Sequence, residues 1–115
     1  MKSLNDTLKT IYEALCGIQG ANVFHYEKPA AVKAPYIVWA EDGEGESFHS
    51  NNHKTEQTIS GVVDLYTLEE FDDLVDDIQE ALDEVCAWRL DAVQYEDETK
   101  LIHYSWNRDQ CMSAT

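Results

Sequence analysis

A chain of 115 residues carrying a formal charge of −15, with 43% hydrophobic residues, three Trp, six Tyr and three Phe, has the composition of one acidic globular domain. That charge argues against a protein that binds nucleic acid by neutralising phosphates, and against adsorption to an anionic membrane. With two Pro and five Gly there is no low-complexity linker, and the apolar runs are far too short to span a bilayer.

In chain order, Leu4, Leu8, Ile11, Tyr12 and Leu15 recur at helical spacing behind a capping Ser3, and Gly17 and Gly20 end the pattern. The spacing predicts an amphipathic helix over about 4–17. The start of the chain lacks the apolar core of a signal peptide, so the expectation is a soluble protein that is not secreted. Ala21–Tyr26 reads as a short strand, ended by Pro29. Pro35 opens a second strand, Tyr36–Ala40, with the large and β-branched residues of a strand covered on both faces.

Residues 41–55, beginning Glu41-Asp42-Gly43-Glu44-Gly45-Glu46, read as a polar loop. From Glu56 to Tyr66 the chain alternates: Ile59, Gly61, Val63 and Leu65 share an apolar face opposite Thr58, Ser60, Val62, Asp64 and Tyr66. Two strands joined through 41–55 make a long hairpin whose tip projects from the body.

Thr67-Leu68-Glu69-Glu70 has the form of a capping box opening a helix over 68–86. Phe71, Leu74, Val75, Ile78, Ala81, Leu82 and Val85 form its stripe. The opposite face is acidic throughout: Glu69, Glu70, Asp72, Asp73, Asp76, Asp77, Glu80, Asp83 and Glu84. Trp88–Tyr95 and Leu101–Trp106 flank a polar turn as a terminal hairpin, and 107–115 read as a frayed end, as do the first few residues. The whole is a single α+β domain over 1–115. Its order is α-β-β-β-α-β-β, an antiparallel sheet of four to five strands with two helices on one face.

No catalytic signature emerges. Gly43-Glu44-Gly45 imitates half a phosphate loop but carries acids where phosphate would sit, and there is no nucleophile elbow. His49 and His53 share their loop with Glu41, Asp42, Glu44 and Glu46, but nothing preorganises them as metal ligands. His25 and His103 read as hydrogen-bonded sheet histidines. The carboxylates of 68–86 face water rather than a desolvated site that would raise their pKa. Cys16, Cys86 and Cys111 form no C-x-x-C pair and read as reduced, structural thiols. No metal or cofactor is expected, and a metal-dependent hydrolase built on 41–55 is the weakest alternative. The aromatics Tyr36, Trp39, Tyr66, Trp88, Tyr95, Tyr104 and Trp106 exceed what one core needs, so some are expected on the open sheet face at an oligomer interface.

Three segments carry a resemblance that spans about residues 4–106. They are Ala34-Pro35-Tyr36-Ile37-Val38-Trp39 running into the acidic 41–46, Glu56–Tyr66 leading into the acidic helix, and Trp88-Arg89-Leu90 with Val93-Gln94-Tyr95-Glu96 and Leu101-Ile102-His103-Tyr104. With the element order, these resemble the small tail-terminator (tail-completion, minor capsid or tail) proteins of long-tailed bacteriophages and prophages. The resemblance implies a structural virion protein without turnover, in the virion tail and in the host cytoplasm during assembly. It implies a ring, typically of six copies, that ends tail-tube growth and meets the head connector, with DNA merely passing through its lumen. Partners would be other copies of the chain, the tail-tube protein and the connector protein, with no membrane. The contact residues expected for such assembly are Glu41, Asp42, Glu44, Glu46, Phe48, His49 and His53 on the projecting hairpin, with Trp39 and Trp106. The competing reading is an acidic DNA mimic that occupies a basic nucleic-acid-binding protein through the 68–86 carboxylate face.

Overall fold

A computed structural model describes the backbone of residues 3–50 and 53–111, and the side chains in that range except those of 46–50, 53–56, 110 and 111. The elements are α1 (Leu4–Cys16), β1 (Asn22–His25), β2 (Tyr36–Ser50), β3 (His53–Thr67), α2 (Asp73–Val85), β4 (Ala87–Tyr95) and β5 (Ile102–Cys111). The fold is α+β in the expected order, and the five strands form one sheet ordered β1-β2-β3-β5-β4. The sheet is mixed rather than wholly antiparallel, because β1 runs parallel to β2, Asn22 opposite Tyr36 and His25 opposite Trp39. The ten residues 26–35 give the chain the length to return to the same end of the sheet, which no tight turn could do.

Alternation in β3 decides which face is buried. Ile37 pairs with Leu65 and Trp39 with Val63, and across the next ladder Val63 meets Trp106. These side chains share one side of the sheet and pack beneath Ile11 and Leu15 of α1 and Leu74, Ile78 and Leu82 of α2. Each such fully buried aliphatic side chain contributes roughly 1.5–3 kcal/mol. Both helices therefore lie on one face, and the other face stays open.

α1 begins where Ser3 Oγ accepts from the Asp6 amide at 3.4 Å. α2 starts later than its sequence suggests. The Thr67 hydroxyl donates to Asp72 Oδ2 at 2.6 Å and accepts from the Glu69 amide, which ties residues 67–72 into a turn. Phe71 then takes a left-handed φ of 56°, which no helix interior accommodates. Asp72 is the true cap, its Oδ1 accepting from the Leu74 amide at 2.9 Å. Phe71 accordingly leaves the expected stripe and stands 94% exposed. Asp72→Ala removes both the cap and the partner of Thr67. It should cost about 1 kcal/mol or somewhat more in chemical denaturation, where Glu70→Ala should cost almost nothing.

Two polar segments expected as loop or fray are strand. β2 continues through 41–50, its partners in β3 interrupted by irregularities at Glu41/Gly43, Glu44/Ser47 and Phe48/His49, and β5 runs on to Cys111. In both, ladder hydrogen bonds satisfy the backbone where side chains give no apolar signal. The last pairing of β5 on β3 is Cys111 with Ile59. Past it, among the described residues, the β2–β3 ribbon protrudes alone by roughly 20 Å. The molecule measures 55 × 25 × 23 Å, and its radius of gyration of 15.2 Å exceeds the roughly 13 Å of a compact chain this long. The projecting hairpin is thus a feature of the fold, with a stalk of paired strand.

Cys16 is a free thiol at the surface, but Cys86 is disulfide-bonded, against the expectation of reduced thiols throughout. The turn from α2 into β4 explains its setting. Ala87 pairs with Asp109, so the end of β5 runs beside Cys86.

Candidate assembly surfaces

The expected contact residues divide into three groups. Trp39 and Trp106 are core residues, 2% and 0% exposed: Trp106 is wholly covered, and Trp39 reaches the surface only as the floor of a groove beside α1. Their rings lie on the helix side of the sheet, where the Trp106 indole N–H donates to Gln79 Oε1 at 3.1 Å. The side chains of Glu46, Phe48, His49 and His53 lie outside the described residues. Glu41, Asp42 and Glu44 stand at the root of the hairpin.

Glu41 is engaged within the chain. Its carboxylate meets His25 Nε2 at 2.7 Å and accepts from the Tyr26 hydroxyl. Tyr26 has a left-handed φ of 74°, and its amide donates to the Trp39 carbonyl, which closes the end of β1 onto β2. The Ser60 hydroxyl donates to Asp42 Oδ1 at 2.8 Å. These acids therefore brace the hairpin root as well as lending it charge.

Beneath them lies a feature absent from the sequence expectations. Arg108, in the segment expected to fray, is buried to 1% exposure. Its Nη2 donates to the Ala40 carbonyl at 3.0 Å, and its guanidinium lies 5.7 Å from the centroid of the Trp39 ring. Burial lowers its pKa from the ordinary arginine value to about 10, while the nearby Glu41 and Asp42 charges act in the opposite direction. Opposite it in the ladder is Gly61, where a Cβ would come 2.5 Å from Arg108 Nη2. The missing side chain is what makes room for the guanidinium. The Tyr104–Trp106–Arg108 alternation was the available signal for a longer β5, with Arg108 on the core side.

The open sheet face carries the aromatic excess in part. Tyr36, Tyr66 and His103 stack across β2, β3 and β5 with centroids 4.9 and 4.2 Å apart, and His103 Nε2 meets Asp64 Oδ1 at 2.9 Å. Burial raises the Tyr36 and Tyr66 phenols above the ordinary value of 10.0, and nearby carboxylates add to the rise. His25 and His103 both sit in the sheet with carboxylate partners.

On the helix side are two apolar surface features. Asn5, Leu8, Lys9 and Tyr12 of α1, with His25 and Trp39, line a groove of about 310 Å³. Its floor is aromatic, since His25 stacks on Trp39 at 3.9 Å and Tyr12 lies 6.2 Å from Trp39. On the other flank Phe71, Val75, Ile102 and Tyr104 border a second concavity whose acids are Glu70, Asp72 and Asp76.

Among the described residues no group of three or more His, Cys, Asp or Glu is placed to hold a metal ion, and no helix is long and apolar enough to cross a membrane. No protein-family model matches this sequence, and none of the curated proteins matches it significantly.

Proposed function

We propose that this protein is a ring-forming structural component of a long-tailed bacteriophage, a tail terminator that ends growth of the tail tube and joins the tail to the head connector. The observation that carries the reading is the hairpin arm on a small α-β-β-β-α-β-β domain. Among the described residues no third strand or helix lies against the outer part of this ribbon; a ribbon of that kind is marginal in water and gains stability when laid on a neighbouring subunit or the tube. The net charge of −15 suits a ring through which DNA must slide, because acidic walls repel phosphates. In this role the chain turns over no substrate. It acts in the virion tail and, during assembly, in the host cytoplasm.

The test is assembly on tail tubes. Added to growing tubes, the protein should seat at one end and fix their length, and a variant with residues 46–55 replaced by a short turn should lose that capping. Tubes that grow to the same length with and without the protein would refute the reading.

One observation favours a second reading. The solvent side of α2 is acidic with no cation between Glu69 and Glu84, as in a protein that mimics DNA toward a basic partner. That reading requires salt-sensitive capture of a basic DNA-binding protein in competition with duplex DNA.

A further inference from the structure

Phe71 is an anomaly that folding does not explain. Its side chain is 94% exposed, so it contributes little to the core. Its φ of 56° is a conformation that Gly or Asn takes freely and a bulky residue resists. The turn that holds it is fixed on both sides, by Thr67 bonding to Asp72 and by Asp72 capping α2. A rigidly presented, solvent-facing aromatic in a resisted backbone conformation has the character of a binding anchor.

The groove on the opposite flank has the complementary character. It lies between α1 and the β1–β2 edge, it is floored by Trp39 and His25 with Tyr12 beside them, and at about 310 Å³ it has room for a phenyl ring. Aromatic walls favour an aromatic guest. Among the described lining residues the cation is Lys9 and there is no carboxylate, the neighbouring Glu41 being held by His25 and Tyr26 outside the lining, whereas Phe71 is flanked in the chain by Glu69, Glu70 and Asp72. Shape and charge therefore match between two flanks of the same molecule.

Resting on the ring reading above, we propose that Phe71 of one copy seats in the Leu8–Tyr12–Trp39 groove of a second copy, with Glu70 set against Lys9. Knob and groove are different patches on opposite flanks of the sheet, so the contact is head-to-tail. Repetition of such a contact closes into a ring when the rotation per subunit fits. The second copy is favoured over a foreign partner because one chain carries both halves of the match.

Two measurements test it, both on the full chain. In a Cys16→Ser background, Phe71→Cys chains mixed with Tyr12→Cys chains should form an intermolecular disulfide under mild oxidation, and neither variant should do so alone. Separately, Phe71→Ser should raise the concentration needed for assembly by about tenfold or more, with the thermal midpoint unchanged to within about 2 °C. Lys9→Glu should weaken assembly in the same way, and Glu70→Lys should restore it. A wild-type ring that persists unchanged in Phe71→Ser, without the mixed disulfide, overturns this contact and leaves the ring reading standing. A wild-type chain that stays monomeric at every concentration overturns both. Loss of tube capping in Phe71→Ser with the ring intact would assign Phe71 to the tube instead and also overturns the contact.

Discussion

Trp106→Ala should destabilise the fold by roughly 3–5 kcal/mol, a large share of the roughly 5–15 kcal/mol that holds a domain of this size together. The ring is wholly buried between the central ladder and the helix layer, opposite Val63 on one side and Leu90 on the other. Truncation leaves a cavity under α2 and strands the Gln79 carboxamide oxygen that accepts the indole N–H. The measurement is the urea midpoint at unchanged slope. Trp106→Phe, which keeps most of the volume and loses the hydrogen bond, should retain more than half of the lost stability. An effect below about 1 kcal/mol for the alanine variant would mean that α2 does not rest on this strand.

The second large effect is expected at Gly61. An alanine Cβ there would lie far inside contact distance of the Ala40 carbonyl oxygen and 2.5 Å from Arg108 Nη2. The carbonyl belongs to the neighbouring strand and cannot step aside, so relief must come from displacing Arg108 or parting β2 from β3. Overpacking of this kind costs at least the upper end of roughly 1–3 kcal/mol. At about 4 °C per kcal/mol for a chain of this length, the thermal midpoint should fall by roughly 10 °C. Gly43→Ala is the control, on the partner strand of the same hairpin opposite Ser60. Its Cβ would meet nothing nearer than Ser60 Oγ at 4.0 Å, and the midpoint should barely move. Equal effects at the two glycines would contradict the packing of Arg108 described here.

These two sites show what the sequence could and could not disclose. The apolar alternation of Ile59, Gly61, Val63 and Leu65 was legible because one face of β3 is buried and the side-chain period of a strand is two. The stripe of α2 was legible for the same kind of reason, with Leu74, Ile78 and Leu82 buried at helical spacing. Its first turn was not. Thr67-Leu68-Glu69-Glu70 satisfies the capping pattern, but the Thr67 hydroxyl is claimed by Asp72 and the Glu69 amide, and the start of the helix passes to Asp72. Spacing alone places Phe71 in the stripe, because its left-handed backbone has no signature in residue type.

Residues 41–50 and 107–111 give little strand signal because their pairing rests on backbone ladders, while their side chains are mostly polar. The Tyr104–Trp106–Arg108 alternation puts Arg108 on the core side, but what lets a guanidinium be buried there is a vacancy at Gly61 and an acceptor at Ala40, both far away in the chain. The candidate assembly residues shared this fate in part. Composition marks the acidic hairpin root, but Trp39 and Trp106, which count alone sets among the surplus aromatics, lie in the core. The surplus is on the open face instead, in the Tyr36–Tyr66–His103 stack.

The central claim, that this domain works by assembling copies of itself, is tested most directly by its mass in solution. Light scattering on chromatographically separated protein, across concentration and salt, should give a discrete species at a whole-number multiple of 13.1 kDa. That species should grow more populated as salt screens the charge of −15. A mass of 13.1 kDa at every concentration and every salt would contradict the account.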